Sequence, residues 1–151
     1  MYCIEYIHKH SLTLPYTINF FISNYEEVGH GATAAIPEKT KEFIAVDMGA
    51  AGLDQNSSEY AVSICAKDSS GPYDYELRQK LVDICCKNSI PYKIDIYPFY
   101  GSDASAAVRA GWDIKTALMG PGIFASHGYE RTHIESLEAT VQLVLQYSVV
   151  E

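Results

Sequence analysis

Residues 60–99 read YAVSICAKDSSGPYDYELRQKLVDICCKNSIPYKIDIYPF, and this stretch decides the fold class. YAVSICA at 60–66 is β-prone. Leu77, Leu81, Val82, Ile84 and Cys85 then recur at helical spacing across 74–88, with Asp74 placed to cap the helix N-terminus. KIDIYPF at 93–99 is strand-like again. Working outward, EFIAVDM at 42–48 is an apolar run that ends at Asp47, with Gly49 stopping it. IKTALMG at 114–120 is another strand, and Gly120-Pro121-Gly122 predicts a loop directly after it. SDASAAVRAG at 102–111 predicts a helix. A last helix is predicted over 134–148, where Ile134, Leu137, Val141, Val144 and Leu145 form an apolar stripe. At the other end, residues 1–10 predict a helix with Cys3, Ile4 and Ile7 on one face. YTINFFIS at 16–23 predicts a strand ending deep in the sheet. Alternating strands and helices with continuously apolar strands imply one α/β domain, a parallel or mixed sheet with helices on both faces.

Composition narrows the function. The chain has 151 residues, 48% hydrophobic and 20% charged, the balance of a globular domain with a real core. Its net charge of −8 repels phosphate backbones, so nucleic acid is not an expected partner. No apolar run approaches the roughly 20 residues that span a bilayer, so no membrane partner is expected. Glu5, His8, Lys9 and His10 fall where a secretory signal needs an apolar stretch. Cys3, Cys65, Cys85 and Cys86 have no C-x-x-C spacing, and the vicinal pair would be strained as a mutual bridge. Reduced thiols and a cytoplasmic setting follow.

In α/β sheets ligands gather beyond the C-terminal ends of strands, which directs attention to Glu26, Glu27, Asp47, Asp103 and His127. Adjacent Glu26 and Glu27 by themselves fit a solvated turn. Following an apolar segment, with Gly29 and Gly31 allowing close approach, they also fit a divided pair: one binds a metal, the other accepts a proton from the attacking water. Asp47 fits either a cap on the next turn or a cation ligand, since a carboxylate after an apolar run is costly to bury unpaired. His127 shares the loop GPGIFASHGYERTH with His133, and neutral imidazole is a common metal ligand. Glu130 and Arg131 in that loop read as a surface ion pair. His8 and His10, two apart on a helix, point to different sides. His30 reads as loop polarity beside the Glu pair. Oxygen and imidazole donors without thiolate suit a catalytic zinc or cobalt centre.

Four segments together, EEVGHGA at 26–32, AVDMGAAG at 45–52, YGSDASAA at 100–107 and ALMGPGIFASHGYERTHIESLEAT at 117–140, resemble the glutamyl (deblocking) aminopeptidases of the FrvX-like, TET-type group. The resemblance implies a three-layer α/β/α zinc-exopeptidase domain with a mixed, mostly parallel sheet, present in part. It implies two divalent metal ions, zinc or cobalt, and peptide substrates. Carried over by position, Glu26 matches the general base, and Glu27 and His127 ligands of one metal. Asp47 matches a ligand of the other metal, and Asp103 a supporting aspartate. The family's further ligands, an N-terminal histidine and a bridging aspartate, match nothing here. Residues 1–151 therefore correspond to the C-terminal portion of the catalytic domain, without the small inserted domain through which the family forms homo-oligomers. The expectation is a metal-dependent aminopeptidase present as a fragment or truncated chain. The alternative is an inactive remnant or interaction module with the same fold.

Overall fold

The computed structural model describes residues 1–150. The opening helix is α1 (Tyr2–Lys9), which buries Cys3 against the last helix, α4 (Ile134–Val149). Between them lie β1 (Glu42–Val46), β2 (Gly49–Ala50), β3 (Val62–Asp68), β4 (Gly71–Pro72), α2 (Tyr75–Asn88), β5 (Tyr92–Tyr97), α3 (Asp103–Arg109) and β6 (Lys115–Ile123). The Asp74 side chain accepts from the Leu77 N–H at 2.8 Å, the cap expected from the sequence.

The strands form one mixed sheet. β6 pairs parallel with β1 and β2 and antiparallel with β3, whose other edge carries β5 in parallel. The short β4 turns back antiparallel onto the end of β3. Period-two alternation sorts the side chains between two cores. Val62, Ile64, Ala117 and Met119 face α2 and α4, meeting Leu77, Leu81, Ile84, Ala139 and Leu143. Ala45, Cys65 and Leu118 face the other way, against Tyr73, Tyr97 and Ala104 of α3. Helices thus cover both faces, as expected.

The apolar stripe expected along α4 is not its buried face: Ser136, Ala139, Thr140, Leu143 and Ser148 are buried, whereas Ile134 and Leu137 are exposed. Two strand expectations also fail. Residues 16–23 form no strand among the described residues and take part in no ladder, and Tyr16, Phe20, Phe21 and Ile22 are exposed. Their β-prone composition has no second strand to satisfy it, and β-propensity without a partner does not make a strand. The segment therefore does not end deep in the sheet; Phe21 touches Phe43 at its rim. The second correction is at Gly120-Pro121-Gly122, where β6 runs on instead of breaking into a loop. These glycines serve close packing. A Cβ on Gly120 would overlap the Asp47 carbonyl, and one on Gly122 would overlap that of Ser58.

Among the described residues, no helix is long and apolar enough to cross a membrane. All four cysteines are unpaired. Cys3, Cys65 and Cys85 are buried, and burial pushes the Cys65 and Cys85 thiols up to about 12.

Candidate functional site

Four separate segments deliver polar side chains to one cleft at the sheet edge, lined by Glu26, Glu27, Asp47, Asp103 and His127 together with Tyr100, Arg109 and Glu130. Glu26 and Glu27 open a tight 3-10 turn, Glu26–Val28, entered through left-handed Tyr25 and left through left-handed Gly29. Asp47 follows β1 directly, and its N–H still reaches the Met119 carbonyl of β6 at 3.0 Å, so the sheet fixes its backbone. Its Oδ1 accepts from the N–H of the next residue, Met48, at 2.7 Å. No helix or turn follows for it to cap, since β2 starts at Gly49, and the residue faces the cleft.

Asp103 is the first residue of α3. Ser102 caps that helix in a reciprocal box with Ser105. Ser102 Oγ in turn meets the Tyr73 hydroxyl, which donates to fully buried Asp68. A buried polar chain thus anchors the start of α3. From there Asp103 Oδ1 accepts the Ala32 N–H at 3.0 Å, tying down the backbone just after the Glu26–Glu27 turn. Gly31 is required for this contact, because a Cβ there would overlap the Asp103 carboxylate.

His127 sits at the tip of a short hairpin between β6 and α4. The hairpin is closed by Phe124 and Arg131, which exchange backbone hydrogen bonds at 2.9 and 3.1 Å. His127 Nδ1 lies 3.7 Å from Glu27 Oε2, and its imidazole stacks on the Tyr100 ring, with centroids 5.9 Å apart and planes 15° apart. His127 and Ala125 both have positive φ, 62° and 56°, which costs about 1 kcal/mol apiece for residues with a Cβ. Other contacts must hold them there. The expected Glu130–Arg131 ion pair does not form. Glu130 instead accepts the His127 N–H, and Arg131 reaches Glu59, 72 positions away in the chain, at 3.0 Å. His133 lies outside the cleft and caps α4, its Nδ1 accepting from the Glu135 N–H. His30 stays exposed and makes no side-chain bond among the described residues.

The electrostatics follow from the crowding. Burial raises the Glu26 carboxyl above its ordinary range. Repulsion from Asp47, Asp103 and Glu27 adds to this, and His127 opposes it. Burial also raises Asp47, against the Met48 N–H bond that favours its ionised form. Five carboxylates facing one arginine and one histidine would be relieved by cations. Among the described residues, however, no three His, Cys, Asp or Glu side chains converge closely enough to hold one ion. The close approach seen between candidate donors among the described residues is that of His127 Nδ1 to Glu27 Oε2. A second depression, between α2 and the end of α4, is lined by Glu76, Lys80, Asp83 and Lys87 and contains no histidine. Sequence reading missed the Arg131–Glu59 pair and the Tyr100 stack. Neither has a local signal, because the partners meet only through the fold.

The M42 glutamyl aminopeptidase family matches residues 1–143. "Putative aminopeptidase YhfE" of Bacillus subtilis (strain 168) is 55% identical over 144 residues, covering 95% of this chain and 42% of that protein. Among solved structures, the Pyrococcus horikoshii peptidase TET1, as the dodecamer PhTET1-12s, superposes with a TM-score of 0.75 at 27% identity, over 85% of this chain and 40% of its own. A TET aminopeptidase from the marine sediment archaeon Thaumarchaeota archaeon SCGC AB-539-E09 reaches 0.81 over 98% of this chain and 44% of its own. At 13% identity, that match speaks to the fold alone. The chain spans less than half the length of each of these relatives. It belongs to the M42 glutamyl aminopeptidase family.

Proposed function

We propose that this chain carries the C-terminal part of a metal-dependent aminopeptidase site. In that site Glu26 is the general base, Glu27 and His127 hold one divalent cation, Asp47 holds another, and Asp103 steadies the Glu26–Glu27 turn. The observation that carries the reading is the meeting of these five side chains, drawn from four segments, in one cleft. Two cations, zinc or cobalt, when bound, supply Lewis acidity to the scissile carbonyl and to the attacking water.

The chain's own residues do the rest. The cleft's excess of carboxylates attracts the α-ammonium group of a peptide N-terminus. Glu26, its carboxyl raised by burial and like charges, accepts a proton from the attacking water and returns it to the leaving amine. The remaining ligands belong, on this reading, to the part of the relatives that the chain does not span. Exposed Tyr16, Phe20, Phe21 and Ile22 and the outer edge of β1 form the seam on which that part packs. Homo-oligomeric assembly belongs to the same larger protein. Unpaired thiols support a cytoplasmic setting.

A second reading, an inactive remnant or interaction module, draws on the lack of any three-ligand cluster among the described residues. Glu26→Gln in the protein completed by the missing portion separates the two. It should abolish release of N-terminal residues while zinc content is retained. Unchanged turnover removes Glu26 from the mechanism, and no hydrolysis by the completed wild type favours the second reading.

A further inference from the structure

The side chain of Arg131 is two-thirds exposed, yet its partner Glu59 is only 15% exposed and belongs to a segment bound to the sheet. The Glu59 carbonyl accepts the His133 N–H, and the neighbouring Ser58 carbonyl packs on Gly122 of β6. Arg131 Nε reaches Glu59 Oε2 at 3.0 Å while its guanidinium lies over the Phe124 ring, 5.0 Å from the centroid. The same arginine therefore clasps both arms of the hairpin and fastens them to a fixed carboxylate. Between the arms lie the two residues with left-handed backbone, Ala125 and His127.

Resting on the site reading above, we propose that Arg131, through Glu59 and the Phe124 ring, is a positioning residue for His127. The clasp keeps the hairpin mouth shut, so that Ala125 and His127 stay in their left-handed conformations and the imidazole stays between Glu27 and Tyr100. Without it, both residues relax toward the ordinary backbone basins and the imidazole leaves the cleft. A plain surface ion pair would contribute slightly to stability and leave the imidazole where it is.

The imidazole reports its own position, because stacking on Tyr100 shifts the His127 ring protons upfield. The measurement is the NMR spectrum of the metal-free 151-residue chain with labelled histidine, and Tyr100→Leu should erase the shift and so identify it. Arg131→Ala is expected to move the His127 signals toward their solvent-exposed positions while His133 stays put. Adding Ala125→Gly, which removes one left-handed penalty, should bring them part of the way back. Should Arg131→Ala fail to fold, Arg131→Lys keeps the charge but loses the planar stacking and is expected to give a smaller displacement of the same sign. In the completed protein, Arg131→Ala should also reduce zinc affinity by about tenfold, the scale seen when groups orienting a metal ligand are removed. A His127 shift that survives Arg131→Ala, or Arg131→Lys where only that variant folds, overturns the proposal. So does one indifferent to Tyr100→Leu. Failure of the peptidase reading would appear separately, as a wild-type completed protein that neither binds zinc nor cleaves peptides.

Discussion

Residues 16–23 and the strands β3 and β5 are alike in being apolar and β-prone, yet only the strands of the β3-to-β5 unit join the sheet. In Val62–Tyr97 each strand has a partner within the unit, and α2 between them closes over the shared face, with Leu77, Leu81 and Ile84 in the core. The loop-closure cost is small because the partners are near in sequence. Segment 16–23 has no such neighbour: Phe21 meets Phe43 and Ile22 is 82% exposed. The difference teaches that a strand is a property of a pair. An apolar, β-prone segment without a partner stays outside the sheet.

Amide exchange should display the contrast most strongly. Amides of β3 and β5 should be slowed about a thousandfold or more, following the global stability of a domain, while those of 16–23 exchange nearly as in an unfolded chain. Supplying the uncovered portion of the Bacillus subtilis relative should bring 16–23 toward the β3 level. A segment that stays open in the completed protein breaks the comparison.

Core truncation comes next in size. Leu81→Ala, at a fully buried site, should cost about 2–5 kcal/mol in denaturant unfolding. Smaller and pH-dependent is the effect of Asp47→Asn on the metal-free chain. The folded state holds the Asp47 proton to higher pH than the unfolded state does. Its contribution to stability is therefore greatest at low pH and is lost as pH rises above the ordinary carboxylate range. The asparagine variant, which can still accept the Met48 N–H bond, should melt above wild type at pH 7, with the gap closing toward about pH 4. Thermal midpoints across that range check the sign. Smallest of all, Ile22→Ala in this chain should shift stability by no more than about 0.5 kcal/mol. The same change should matter far more once the seam is covered.

These contrasts also explain what could be read in advance. Helices α2, α3 and α4 were legible as elements because their signals are local, as with the Asp74 cap. The α4 stripe was misplaced, because Ser136, Ala139, Thr140 and Leu143 form the buried face while Ile134 and Leu137 are exposed. Residues 16–23 misled because β-propensity was counted without a partner. Gly120 and Gly122 misled because glycine was read as a turn, whereas here it allows β6 to approach the Asp47 and Ser58 carbonyls. Glu26, Glu27, Asp47, Asp103 and His127 were found through four short motifs, and the fold brings them to one cleft. Arg131 was paired with the wrong acid, because a contact spanning 72 residues leaves no trace in spacing.

Zinc binding tests the central claim most directly. The stripped chain, titrated alone, should take up clearly fewer than two zinc ions and bind them weakly, with His127→Ala weakening uptake further. With the uncovered portion supplied, uptake should rise to two per chain. Two ions held tightly by the 151 residues alone, or uptake untouched when Glu27, Asp47 and His127 are all replaced by alanine, would contradict the account.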